Sequence, residues 1–98
     1  MHYQATKKVP GGKLVRVKIQ TGKSQEIITQ LQISGDFFLH PEQSLPAIEK
    51  ALQGFSKNSH VDQHANQIQQ VLTKHQAAFI GITPLDIAQA IIEATPQQ

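Results

Sequence analysis

From Lys13 onward, hydrophobic and polar positions alternate: Val15, Val17 and Ile19 share one parity, and Leu14, Arg16 and Lys18 share the other. A period of two marks a half-buried strand, with one side on a core and the other in water. Residues 3 to 9 alternate more weakly and are read as a first strand, which Pro10-Gly11-Gly12 breaks. The segment Gln20-Thr21-Gly22-Lys23 is a turn. A further strand follows it, with Ile27, Leu31 and Ile33 facing one way and Ile28, Gln30 and Gln32 the other. Two alternating strands joined by a short Gly-containing loop predict an antiparallel hairpin. Gly35-Asp36 stops the second of them, and Phe37-Phe38-Leu39 is a short apolar run.

The period changes after Pro41. Leu45, Ile48 and Leu52 recur at helical spacing, with Ala47 and Ala51 beside them. Ser44 is the expected N-cap, Pro46 falls in the first turn, and Gly54 is the expected C′ residue, with Phe55 placed for the apolar contact that accompanies such a cap. A second helix is expected after Asn58 or Ser59, with Val61, Ala65, Ile68 and Leu72 as its apolar stripe. The third has the clearest start: Thr83 as N-cap, Pro84 at N1 and Asp86 as the acid of a capping box. Ala88, Ile91 and Ile92 are expected to face inward. Strands first and helices after predict an α+β fold. It consists of an antiparallel three-stranded sheet (β-β-β) followed by three helices packed on one face, as a single domain over residues 1–98. Parallel pairing would need helical crossovers between the strands, and the first forty residues hold none.

Composition narrows the chemistry. A chain of 98 residues has a thin core and little room for a deep preformed cavity. With 16% charged residues, its surface must lean on uncharged polar groups, and Gln fills that role. The absence of cysteine excludes disulfides, thiolate metal sites, iron–sulfur ligation and a cysteine nucleophile. A secreted domain this small would often need disulfide staples, so the expected location is the cytoplasm. The N-terminal MHYQATKK lacks the apolar core of a signal peptide, and no apolar run is long enough to span a bilayer. The net charge of +2 hides an asymmetry, because Lys7, Lys8, Lys13, Arg16, Lys18 and Lys23 all precede the first acid, Glu26. That charge is read as a solvated strand face, or as a surface that meets anionic groups on a partner.

Searches for reactive groups return little. His60 and His64 stand one helical turn apart, a spacing that suits two metal ligands, but a third ligand is missing and Asp62 points to a different face. The reading is of two exposed histidines near a helix start, with no metal site. The serines lack a nucleophile elbow. Asp36, after Gly35 at a strand end, is read as an Asx turn in preference to a catalytic acid. Pro10-Gly11-Gly12-Lys13 is read as a tight turn, with an anion nest as its rival. Nucleic-acid binding lacks a recognition motif, and most of the aromatics are read as core residues.

Several segments carry a family resemblance. Gly11-Gly12-Lys13-Leu14-Val15-Arg16-Val17-Lys18-Ile19, Ile33-Ser34-Gly35-Asp36-Phe37-Phe38-Leu39-His40-Pro41-Glu42, Ile48-Glu49-Lys50-Ala51-Leu52-Gln53-Gly54 and Ile82-Thr83-Pro84-Leu85-Asp86-Ile87-Ala88-Gln89-Ala90-Ile91 together resemble the C-terminal accessory domain of lipoate-protein ligases. In some archaea and bacteria that domain is a separate small subunit. The GGKL and GDFF segments are the most specific, and residues 56 to 80 match least. The resemblance implies a non-catalytic accessory domain, needed with the catalytic domain for ATP-dependent activation of lipoate to lipoyl-adenylate in protein lipoylation. It implies a catalytic large subunit or domain as partner, which binds lipoate and ATP/Mg while this chain alone binds no cofactor. A lipoyl-acceptor carrier domain is a second implied contact. The expected partner- or adenylate-proximal surface is Gly11, Gly12, Lys13, Asp36, Phe37 and Phe38. The rival reading is a small basic binding module for RNA or protein, with no enzymatic role.

Overall fold

A computed structural model describes residues 1–97. Three long elements open the chain: β1 (His2–Lys8), β2 (Leu14–Thr21) and β3 (Ile28–Gly35). There follow β4 (Phe38–His40), α1 (Ser44–Ala51), α2 (Val61–His75), β5 (Ala78–Ile80), α3 (Pro84–Glu93) and β6 (Thr95–Pro96). The α+β class is as expected, but the main sheet has four antiparallel strands in the order β3-β2-β1-β6. The chain's last described residues return to pair beside Tyr3 and Gln4. Phe38–His40 leaves the main sheet and pairs antiparallel with Ala78–Ile80 as a separate two-stranded ribbon. The three-stranded expectation misses both additions because two- and three-residue strands are too short to show a period.

The alternation in β2 holds: Val15, Val17 and Ile19 are buried. In β3 the parity switches. Thr21 pairs with Ile28 and Gln20 with Gln30, so Thr29 is the extra residue of a β-bulge. Ile28 therefore joins Leu31 and Ile33 in the core, and Ile27, expected inside, is 41% exposed. Helix α3 packs across β1 and β2, α1 packs against β3, and α2 packs against α1 and α3. Ile48, Leu52, Ile68, Ile87, Ala90 and Ile91 complete the core on that side. On α3, Ile87 and Ala90 turn inward with Ala88 and Ile91, while Ile92, expected inside, is 37% exposed.

The helix starts follow local chemistry. Thr83 Oγ1 accepts from the Asp86 N–H at 3.3 Å, and Asp86 Oδ2 accepts from the Thr83 N–H at 2.8 Å, the expected capping box. Helix α2 starts later than expected: its N-cap is His60, whose Nδ1 accepts from the Asp62 N–H at 3.2 Å. Ser44 is the first residue of α1, not its cap. A turn in which the Ser44 N–H donates to Pro41 O leads into the helix, and the capping position falls to Gln43 without a side-chain bond. Gly54 lies beyond the C-cap Leu52, and its N–H donates to Ile28 O at 2.8 Å instead of returning to the helix.

That bond is part of a cover along the outer edge of β3. The Ile28 N–H donates to Phe55 O at 2.9 Å, and the Ile33 N–H donates to Glu49 Oε2 of α1 at 2.7 Å. Among the described residues no helix is long and apolar enough to cross a membrane.

Candidate functional site

The β1–β2 turn, the β3–β4 link and the strand β5 meet at one end of the sheet. In the turn, the Gly12 N–H donates to Val9 O at 3.0 Å and the Val9 N–H donates to Lys13 O at 2.9 Å. This is a tight turn. The Gly12 donor that an anion nest would need is already used inside the chain. Gly11 and Gly12 are both exposed.

Asp36 is tied to the neighbouring strand. Its carboxylate accepts from the Leu14 N–H, and its own N–H donates to Leu14 O at 3.2 Å. The expected Asx turn is thus replaced by a reciprocal bond across the sheet, which fastens the β3–β4 link to β2 just beyond Lys13. The approach is close enough to demand glycine next door: a Cβ on Gly35 would lie 2.1 Å from Leu14 O and 3.0 Å from the Phe37 ring. The Phe37 ring in turn meets Phe79 of β5 edge to face, with centroids 5.6 Å apart.

Phe38 points the other way. It is 64% exposed, and its cross-strand partner Ile80 is 60% exposed. Leu39, between Phe38 and His40 on the ribbon, is buried. Phe38 borders two open grooves. One, of about 530 Å³, includes His40, Pro41, Gln43 and Ile80. The other, of about 350 Å³, includes Gly35, Phe37, Leu45 and Pro46. The stem of Lys13 lies against Gly81, directly after Ile80. Lys13, Asp36, Phe37 and Phe38 therefore share one end of the molecule, and Gly11 and Gly12 adjoin it through the chain. Sequence reasoning missed Phe79, Ile80 and Gly81, although the run Ala77-Ala78-Phe79-Ile80 ending in Gly81 was a short strand signal.

A sequence model described as the C-terminus of bacterial lipoate protein ligase matches residues 1–91. The chain belongs to that family. Among solved structures, this lipoate protein ligase C-terminal domain is similar to a chain from the structural analysis of an archaeal lipoylation system, a bi-partite lipoate protein ligase and its E2 lipoyl domain from Thermoplasma acidophilum. The two chains are 28% identical with a TM-score of 0.73, over 93% of this chain and 94% of that one. No curated protein sequence matches.

The histidines of the ligase C-terminal domain do not form a shared site. His60 is exposed at the helix start, whereas His64, expected to be exposed, is fully buried with its ring 6.0 Å from that of Phe55. It occupies an apolar position in line with Ile68 and Leu72. Among the described residues, neither ring nitrogen has a hydrogen-bond partner. Burial lowers its pKa, outweighing the opposing pull of the Lys57 and Ser56 backbone nearby. Among the described residues, no three His, Asp or Glu side chains group so as to hold a metal ion.

One charged side chain passed over in the sequence is also buried. Lys57 lies with its ammonium 4.9 Å from the Tyr3 ring centroid and donates to Ile92 O at 3.4 Å. Loss of water around it lowers its pKa. It joins the loop before α2 to β1 and the end of α3, on the side of the molecule remote from Phe38.

Proposed function

We propose that this chain is a non-catalytic accessory partner of a lipoate protein ligase, needed with the catalytic chain for ATP-dependent activation of lipoate to lipoyl-adenylate. The observation that carries the reading is its near one-to-one overlap with a chain of a bi-partite ligase, together with the family match over residues 1–91. On this reading lipoate and ATP/Mg bind to the catalytic partner, and this chain supplies a covering surface. The end of the sheet that carries Lys13, Phe38 and Ile80 is the part that meets the catalytic chain. Covering an exposed Phe and Ile stabilises a complex by about 25 cal/mol for each Å² of apolar surface removed from water. The same contact excludes water from an adenylate, a mixed anhydride open to hydrolysis. The Lys13 ammonium adds positive charge where a phosphate develops its charge.

Reconstitution tests the proposal. The catalytic ligase chain, ATP and lipoate are mixed with and without this chain, and pyrophosphate release is followed. Release is expected to be faster with the chain present. Equal rates in both mixtures would remove the accessory role.

A further inference from the structure

The side of the main sheet turned away from the helices has a uniform chemistry. Cross-strand rows there read Gln4–Lys18–Gln32 and Thr6–Arg16–Ser34, with Lys8 opposite Leu14 at one end. A shallow trough of about 490 Å³ crosses it, bordered by Lys18, Gln20, Gln30 and Gln32. Among the described residues the face carries no carboxylate: all seven acidic side chains lie in turns, links or helices.

Two cations beside this face have partners. Lys7, next in sequence to Lys8 but of opposite parity, donates to Glu93 at 3.0 Å. Lys57 has the Tyr3 ring and the Ile92 carbonyl. By contrast, among the described residues Lys8, Arg16 and Lys18 form no salt bridge, and neither do Lys13 and Lys23 in the turns. Three of the cations without a salt bridge thus share one open surface, and glutamine amides fill the spaces between them.

We propose that this open sheet face docks an acidic surface of a partner protein. Complementary charge steers such an encounter and sets its orientation, and a carpet of amides can pair with both carboxylates and peptide groups. A second copy of this chain is a poor occupant, because it would set like charges face to face. A nucleic acid is less well suited, because the face carries no Phe or Trp on which bases would stack: its ring is the His2 imidazole opposite Gln20, and the Tyr3 ring at the trough is turned to Lys57. Its Lys8–Leu14 row borders the Lys13–Phe38 end, but Lys13, Phe38 and Ile80 are not part of it, so this inference does not depend on the accessory reading and fails or survives separately.

A polyglutamate peptide serves as the probe. The full chain, labelled with ¹⁵N, is titrated with it at low salt. Shifts are expected to cluster on β1, β2 and β3, and to fade as salt rises. R16E/K18E is expected to weaken binding by about tenfold or more, as loss of close charge complementarity does. The charge-matched control K50E/K74E, on the helical side, is expected to retain it. Milder R16Q/K18Q covers the chance that charge reversal disturbs the fold, which a circular-dichroism melt reports. Equal weakening by the two charge-reversal variants, or shifts spread over the whole surface, would overturn the proposal. So would tighter binding of a single-stranded RNA oligonucleotide to the same face.

Discussion

The aliphatic stem of Lys13 lies against the α-carbon of Gly81, so closely that a methyl group on that glycine would come within 3.3 Å of Lys13 Cγ. Gly81 also has φ +99°, a conformation that L side chains rarely adopt. Gly81→Ala should therefore destabilise the chain by about 1–3 kcal/mol in urea denaturation, through backbone strain and a displaced Lys13. Lys13→Ala, at a half-exposed position without a salt bridge among the described residues, should change stability by only about 0.5 kcal/mol. The same substitution should slow pyrophosphate release by the reconstituted ligase. A sharply lowered Tm for Lys13→Ala would count against an electrostatic role.

Phe37 and Phe38 should separate stability from association. Phe37 packs on Phe79 and the core, whereas Phe38 stands in water. Phe37→Ala should cost about 2–3 kcal/mol, below the range for a fully buried Phe. Phe38→Ser should leave the Tm unchanged and weaken binding to the catalytic ligase chain, read by calorimetry. Unchanged affinity for that chain after Phe38→Ser would move the contact away from this end.

His64 should make stability pH-dependent. Its folded pKa lies below the ordinary 6.5, so the unfolded chain binds more protons once the pH drops below that value. Stability is therefore fully present above 6.5 and is lost as the pH falls toward the folded value. His64→Leu removes both the titration and two unpaired buried nitrogens. Chemical denaturation between about pH 5 and 7.5 should give a flatter profile for this variant, with equal or higher stability at the upper end. A profile as steep as that of the parent would show that the acid sensitivity lies elsewhere.

The sequence was most readable where one physical rule acted alone. Period two set β2, and Thr83, Pro84 and Asp86 set the start of α3 without help from the rest of the fold. It was less readable where distant chain met distant chain. The bulge at Thr29 flips the parity of β3 through its pairing with Gln20 and Thr21, which no local pattern shows. β5 and β6 exist because of strands far away in sequence. Of the candidate surface, Lys13, Asp36, Phe37 and Phe38 were visible as residues. Their companions Phe79, Ile80 and Gly81 come from the far side of α2. His64 was the readable miss: three residues after Val61 and four before Ile68, it already stood on the apolar stripe.

Glu49 has a consequence beyond holding α1 to the sheet. An open strand rim is a template on which a foreign segment can crystallise, the first step of domain exchange and fibril growth. Here a carboxylate takes the Ile33 donor, and the Gly54–Phe55 backbone takes both peptide groups of Ile28, so two stretches of that rim are closed to another polypeptide. Where those bonds stand, recognition along that flank runs through side chains instead of through the generic peptide ladder, which makes it selectable one amino acid at a time.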